Sequence, residues 1–482
     1  MGQGRHYYLL GIGGTAMGSL AGLLRAAGHR VTGSDENVYE PMASQLKGLG
    51  ITYAEGYRAE NLEPRPDVVV VGNAISRGNA ELEYLLNEKI PYTSAAVTIK
   101  EEFVRGRTSI AVAGTHGKTS TTSILAWVLE VSGFNPSFLI GGVAENFGTS
   151  FRLTDSEYFV IEADEYDTAY FDKGPKMWHY LPDIAVVNNI EFDHADIYRD
   201  DIAYNWAFSR FINLIPSNGR LIAGWDSPTV RELAAKSFAP VESFSFDDGS
   251  ASGDGGSASG GAVDAKWRAV DVAFGEMTRF RVMHDGTEWG RIETPLAGAF
   301  NVRNCLAAIA VAESMGADRE RVTEALLTFR SVRRRMEVRG VARGVTVIDD
   351  FAHHPTAVRE TLQAARQKYA GRRIVAVFEP RSYTAQRRDF QQPYEDALAT
   401  ADEIILAGLF RPERYSAETA LRPEEMVMKW QSAGKRAEYQ PDVDAIVRSV
   451  ASTARDGDIV MIMSNGGFGG IHDKLLSALA TP

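Results

Sequence analysis

Gly114-Thr115-His116-Gly117-Lys118-Thr119-Ser120 lies between an apolar run at 109–113 and a stretch whose Ile124, Leu125, Val128, Leu129 and Val131 recur at helical spacing. Glycines there let backbone N–H groups approach phosphate oxygens, and the start of a helix adds a favourable dipole. Lys118 would reach the β- and γ-phosphates of a nucleoside triphosphate, and the Thr119 hydroxyl would sit on Mg2+. The usual pattern, G-x-x-x-x-G-K-[ST], wants glycine where this chain has Val112, so the loop is a variant. A glycine-rich turn without a ligand is the competing reading. Next comes Glu162-Ala163-Asp164-Glu165 at the end of an apolar run, 158–161, where a carboxylate would face the loop and hold a metal ion. A solvated acidic loop is its alternative. A further run, 184–187, leads into Asn188-Asn189 and then Glu191, Asp193, His194 and Asp196. Three strand ends would thus bring oxygen and imidazole groups to one place. A separate glycine loop, Gly11-x-Gly13-Gly14-x-Ala16-x-Gly18, is followed by Asp35 at the distance of a ribose-binding acid. A nicotinamide site, a nucleotide-sugar site and a purely structural turn all fit it.

The elements that must hold these residues form an α/β pattern. Apolar runs at 6–11 and 68–72 read as buried strands, and 16–27 and 80–87 as helices, the alternation of a doubly wound unit. The pattern restarts after Arg105-Gly106-Arg107, with a long helix expected over 202–215. An antiparallel pair is expected at 278–282 and 288–293, around Asp285-Gly286. A third unit begins near Ser331, with strands at 345–348, 373–378, 403–407 and 458–463 and a helix at 355–369. The expected domains are therefore 1–106, 107–330 and 331–482, in keeping with a length of 482 residues at roughly 150 per domain. The Gly/Ser/Ala/Asp tract 247–262 has no large apolar residue and reads as a flexible surface insertion, a linker between domains being the alternative.

Composition excludes several classes. A hydrophobic fraction of 44% with 24% charged residues is that of a globular chain. A net charge of −12 argues against bulk binding to nucleic acid or anionic lipid. No apolar run approaches the ~20 residues that span a bilayer, and the lone cysteine, Cys305, reads as a small core residue. A cytoplasmic location is the expectation.

The order of these motifs resembles the Mur ligase family, whose members join amino acids or peptides to UDP-N-acetylmuramate. Gly-Thr-His-Gly-Lys-Thr, the acidic stretch 162–167 and Asn189 to His194 are similar to the family's central ATP domain. Leu296-Ala297-Gly298-Ala299-Phe300-Asn301-Val302-Arg303-Asn304 resembles its G-x-H-N-x-x-N element, with Phe300 where histidine is usual. By that resemblance Asn301 and Asn304 contact adenine. Arg335 in Arg333-Arg334-Arg335 meets the phosphates, and Asp350 belongs to the nucleotide-contacting stretch Asp349-Asp350-Phe351-Ala352-His353-His354-Pro355. The resemblance implies an N-terminal Rossmann-like domain, a central P-loop ATPase-type domain and a C-terminal Rossmann-like domain. It implies ATP and Mg2+ as cofactors, with Thr119, Glu162 and His194 toward metal, Lys118, His194, Glu162 and Arg335 in catalysis, and the whole stretch Gly114 to Ser120 on ATP. Gly11, Gly13, Gly14 and Asp35 would take the UDP portion.

The segment Ala207-Phe208-Ser209-Arg210-Phe211 has no counterpart of the carbamylated lysine found in some branches. Phe171-Asp172-Lys173, Glu379-Pro380-Arg381-Ser382 and Ser464-Asn465-Gly466-Gly467-Phe468-Gly469-Gly470-Ile471-His472 resemble a peptide-adding branch more than the alanine-adding one. That branch takes the murein tripeptide L-alanyl-γ-D-glutamyl-meso-diaminopimelate, and Arg381, Ser382, Asn465 and Gly466 would bind it. Alanine addition is the alternative; an oxidoreductase and a non-catalytic nucleotide switch are more distant ones. The sequence points to no protein partner and leaves the third residue of the peptide open, diaminopimelate or lysine. From these residues alone, Lys118→Ala is expected to remove activity and leave the fold intact.

Overall fold

A computed structural model describes residues 4–38, 42–246, 264–416 and 418–481, and its framework is three α/β units, each built on its own main sheet. The tract 247–262 lies outside the described residues. The first unit is a parallel sheet of β1 (His6–Leu10), β2 (Arg30–Asp35), β3 (Thr52–Glu55), β4 (Val68–Val71) and β5 (Tyr92–Ser94), in the order β3-β2-β1-β4-β5. Four consecutive valines make β4 apolar on both faces, as a strand covered by helices on each side must be.

The second unit contains β6 (Thr108–Ala113), β7 (Ser137–Ala144), β8 (Thr149–Arg152), β9 (Tyr158–Glu162), a small hairpin of β10 (Asp167–Ala169) and β11 (Asp172–Pro175), then β12 (Ile184–Val187), β13 (Arg220–Gly224), β14 (Val241–Phe246), β15 (Trp267–Ala273), β16 (Thr278–His284) and β17 (Thr287–Thr294). Its main sheet runs β17-β16-β15-β14-β13-β12-β6-β9-β7-β8. The stretch from β15 to β7 is parallel, and β8, β16 and β17 add antiparallel edges. The expected hairpin around Asp285-Gly286 is present, extended by β15 into a three-stranded meander. β6 sits between β9 and β12, with Val112 opposite Glu162 and Ala113 opposite Val187. The three strand ends singled out in the sequence are therefore neighbours.

Helix Ala299–Ser314 packs on Lys118–Val131, burying Cys305 completely; burial pushes its thiol up to about 12. The helix expected over 202–215 runs Asp201–Ile212 instead. Asp200 accepts from Ala203 N at 2.9 Å and fixes the start, and the backbone is already in tight turns before Pro216.

The third unit holds β18 (Glu337–Ala342), β19 (Val345–Asp350), β20 (Ile374–Phe378), β21 (Glu403–Ala407), β22 (Arg436–Gln440) and β23 (Ile459–Met463), ordered β18-β19-β23-β20-β21-β22 with only β18 antiparallel. β23, Ile-Val-Met-Ile-Met, is fully buried, and Met463 stands opposite both Asp350 and Phe378. The ends of β19, β20 and β23 are thereby brought side by side.

The first and second units meet closely at Gly22, on helix Thr15–Ala26. A Cβ there would lie 2.0 Å from the Phe151 ring of β8. Gly22→Ala must push the ring aside, and we expect a loss of about 1–3 kcal/mol, read as a lowered midpoint in thermal or urea unfolding. An unchanged midpoint would mean that this contact is loose.

Candidate active site

The loop after β6 needs glycine twice: Gly114 has φ +134° and Gly117 has φ +82°, backbone shapes that a side chain resists. Gly117 also starts the helix Lys118–Val131, and a Cβ on it would be 2.7 Å from Asn304 Oδ1. Asparagines brace the loop. Thr115 N and His116 N donate to the backbone O (3.0 Å) and side-chain Oδ1 (2.8 Å) of Asn189. Asn304 accepts from Thr121 Oγ1 at 3.0 Å and donates to Asn301 Oδ1 at 3.1 Å, while Asn301 donates to Ala297 O at 2.8 Å. Asn301 and Asn304 are both buried, so in this structure they position the loop. Ser120, in the first helical turn, is half-buried.

Lys118 crosses the loop interior. Its Nζ donates to Gly114 O (2.7 Å) and Thr115 O (3.3 Å) and to both oxygens of Glu165 (2.6 and 2.8 Å). Glu165 has no exposed side-chain surface. It also meets His194 Nε2 at 3.0 Å, and Tyr204 donates to it at 3.3 Å. Burial alone would raise its carboxyl, but the Lys118 charge and the His194 bond outweigh burial and hold it below the ordinary range. Burial would likewise depress Lys118, and the carboxylates of Glu165 and Asp164 reverse that, so the lysine is charged. His194 has φ +56°, and its backbone N–H donates to Asp193 Oδ1 at 2.7 Å.

Thr119 Oγ1 donates to Glu162 Oε1 at 2.9 Å, and Gly141 N donates to Glu162 Oε2 at 2.8 Å. Burial, with Asp164 beside it, raises the Glu162 carboxyl despite Lys118. A hydroxyl and a carboxylate form an all-oxygen donor set suited to Mg2+, and a cation there would relieve the carboxylate. The three residues expected on metal therefore divide: Thr119 stands with Glu162, and His194 with Glu165.

The third unit reaches into this site. Arg335 Nη2 donates to Thr119 Oγ1 at 3.4 Å, its guanidinium 5.1 Å from the Phe351 ring centre. Asp350 accepts from Met336 N and Ala352 N, each at 2.8 Å, and so anchors the arginine's segment. Thr384 Oγ1 donates to Asp193 Oδ1 at 2.8 Å, and Thr356 Oγ1 donates to Glu191 Oε1 at 2.7 Å.

Farther out, Arg381 crosses Gly466 so tightly that a Cβ there would be 2.1 Å from its Nε, and it lies 3.9 Å above the Phe410 ring centre. Arg334, not singled out by the sequence, donates to Ser464 O (2.6 Å) and Gly466 O (2.8 Å) and holds this segment. Ser382 Oγ accepts from Ala385 N at 3.1 Å, whereas Asn465 Oδ1 is buried without a hydrogen-bond partner among the described residues. A cavity of about 580 Å3 opens alongside, lined by Glu379, Phe410, Glu424 and Tyr439 among others. In the first unit, Gly11 has φ +87° and Gly14 immediately precedes helix Thr15–Ala26. Gly13 N donates to Asp35 Oδ2 at 2.9 Å and Asn37 N to Oδ1 at 3.3 Å, so Asp35 closes the glycine turn from inside.

The chain matches the model of the Mur ligase family catalytic domain over residues 6–102, the Mur ligase middle domain over 112–312 and the Mur ligase glutamate ligase domain over 334–466. It is 41% identical over 474 residues, 98% of each chain, to the UDP-N-acetylmuramate–L-alanyl-γ-D-glutamyl-meso-2,6-diaminoheptandioate ligase of Escherichia coli. The chain belongs to the Mur ligase family. A solved structure of a murein peptide ligase from Psychrobacter arcticus is similar over 99% of both chains, with TM-score 0.73 and 37% identity. The UDP-N-acetylmuramate–L-alanine ligase of Lawsonia intracellularis is 32% identical over 471 residues, 98% of each chain. As a Mur ligase the protein is an ATP-dependent amide-forming enzyme of three α/β domains, and the oxidoreductase reading of its first glycine loop falls away. Among the described residues, no helix is long and apolar enough to cross a membrane.

Glu165 is the main participant that sequence reading passed over. Its neighbours in the acidic stretch were visible, but only the fold turns this one inward onto Lys118.

Proposed function

We propose that this Mur ligase joins L-alanyl-γ-D-glutamyl-meso-diaminopimelate to UDP-N-acetylmuramate at the expense of ATP. The observation that carries the reading is the greater full-length identity to the tripeptide ligase than to the alanine ligases, 41% against 32–34%. A carboxylate is a poor acyl donor at neutral pH, so it must be activated. The lactyl carboxylate oxygen attacks the γ-phosphorus, the bond to the bridging oxygen breaks, and ADP leaves. The peptide amine then attacks the acyl phosphate carbonyl, loses a proton and expels phosphate.

For such a reaction the protein's share is positioning and charge neutralisation. Lys118, Gly114, Thr115, His116, Gly117 and Ser120 would hold the triphosphate, with Arg335 brought in by Asp350. Thr119 and Glu162 would hold Mg2+, which supplies charge neutralisation at the β- and γ-phosphates. Glu165 orients Lys118 and His194 at the transferring group. Asn301 and Asn304 would border the adenine while bracing the loop. The UDP portion is assigned to the glycine loop of residues 1–106 (Gly11, Gly13, Gly14 and Asp35), ATP to 107–330, and the peptide to 331–482 through Arg381, Ser382, Asn465 and Gly466. An arginine offers a carboxylate two parallel hydrogen bonds, which suits a peptide rich in carboxylates. ATP and a UDP-linked sugar are cytoplasmic substrates, which favours the cytoplasm as the place of work.

The test is product formation from ATP, Mg2+ and UDP-N-acetylmuramate with either the tripeptide or L-alanine. Ligation of the tripeptide is expected; product with alanine alone would transfer the protein to the alanine-adding branch. Gly466→Ala should displace Arg381, raising KM for the peptide about tenfold while KM for ATP holds. Steady-state kinetics with each substrate varied checks this, and an unchanged peptide KM would remove Arg381 from the peptide site.

A further inference from the structure

A second group of ligand-type side chains, His116, Glu191 and His354, lies on another flank of the phosphate loop, and of the three only His116 enters the reaction above, as part of that loop. His116 Nε2 is 3.0 Å from Glu191 Oε2. From the third domain, His354, just before helix Pro355–Lys368, brings Nδ1 to 3.9 Å from the same oxygen. The two imidazole rings are 4.9 Å apart, and one ligand atom from each of the three residues lies within 4.8 Å of the others. Thr356 Oγ1 donates to the other Glu191 oxygen at 2.7 Å and leaves Oε2 turned toward the histidines.

His354 supplies the independent observation. Its side chain is only 4% exposed, yet neither ring nitrogen has a hydrogen-bond partner among the described residues. Burying an imidazole with no partner costs free energy that a bound ligand would recover. Two imidazoles and a carboxylate are the set that binds Zn2+ with one position left for water, whereas Mg2+ prefers oxygens alone. Zinc–ligand bonds of about 2.0–2.1 Å put the ligand atoms of a tetrahedron roughly 3.3 Å apart. The present spacing needs only a small contraction of side chains that already face one another.

We propose that His116, Glu191 and His354 form a binding site for a borderline transition-metal ion of the Zn2+ class, bridging the phosphate loop to the third domain. The site is separate from the Thr119–Glu162 pair and selects a different kind of ion. Its ligands come from two domains, so occupancy favours the arrangement in which Arg335 and Thr384 touch the central domain. Excess metal would then slow a turnover that requires those domains to part.

The test uses the full chain, freed of metal by chelation and returned to buffer with excess Mg2+ so that hard-cation sites are filled. Calorimetry with Zn2+ should find one ion per chain, and Co2+ should produce the intense visible bands of four-coordinate geometry. Zn2+ should also raise the melting temperature. Glu191→Gln and His354→Ala should each weaken Zn2+ binding at least about tenfold and abolish the cobalt bands and the melting shift. Glu191→Gln is nearly isosteric at a partly exposed position and is the reference if His354→Ala melts before titration. No Zn2+ binding below millimolar concentration, or binding that Glu191→Gln leaves intact, would overturn the proposal.

Discussion

Lys118→Ala is expected to lower kcat about 1,000-fold or more and, in addition, to destabilise the protein. The catalytic part follows from removing a fixed positive charge from the transferring phosphoryl group in an enclosed site. The stability part comes from Glu165, which has no exposed side-chain surface, takes two short contacts from Lys118 Nζ and would keep only those to His194 and Tyr204 without it. Stripping one partner from a buried ion pair costs about 3–5 kcal/mol. This corrects the sequence-based expectation of an intact fold: the lysine neutralises a buried carboxylate as well as facing the nucleotide. The double variant Lys118→Ala/Glu165→Gln should recover most of the lost stability and none of the activity. Urea unfolding beside single-turnover kinetics separates the two effects. Near-normal turnover in the single variant would mean that the phosphate loop has been misassigned.

The second large effect is expected for Arg335→Ala. Its guanidinium reaches Thr119 Oγ1 from another domain, steadied by the Phe351 ring and by the Asp350 bond to Met336 N. An arginine supplied in this manner to a phosphoryl transfer is worth about 1,000-fold in kcat. Binding of UDP-N-acetylmuramate, assigned to the first domain, should be unaffected. Measuring kcat together with sugar-nucleotide affinity tests both statements. A loss smaller than tenfold would indicate that the third domain contributes no charge to the reaction.

The parts of this molecule most legible in the sequence are those where local chemistry and fold agree. Buried parallel strands leave uninterrupted apolar runs, as at β4 and β23, and strand ends collect polar residues, as at Glu162 and Asn188. The phosphate loop was readable because Gly117 must adopt a left-handed backbone immediately before a lysine and a threonine. What escaped depends on partners far apart in the chain. Glu165 looked like one acid among several until β9 and its loop set it against Lys118. Arg334 looked like a neighbour of Arg335 until the end of β23 supplied carbonyls for it. Asp35 has the position of a ribose-binding acid, and spacing does not show that its two oxygens also accept from backbone N–H groups of the glycine turn and of Asn37. The short hairpin β10–β11 was missed because arms of three and four residues carry no readable period.

The central claim is that the lactyl carboxylate of the sugar nucleotide is phosphorylated before the peptide amine attacks. UDP-N-acetylmuramate carrying a heavy-oxygen label in that carboxylate, turned over with ATP and tripeptide, tests it directly by mass spectrometry of the released phosphate. The account predicts labelled phosphate in step with amide product; unlabelled phosphate alongside full product formation would contradict it.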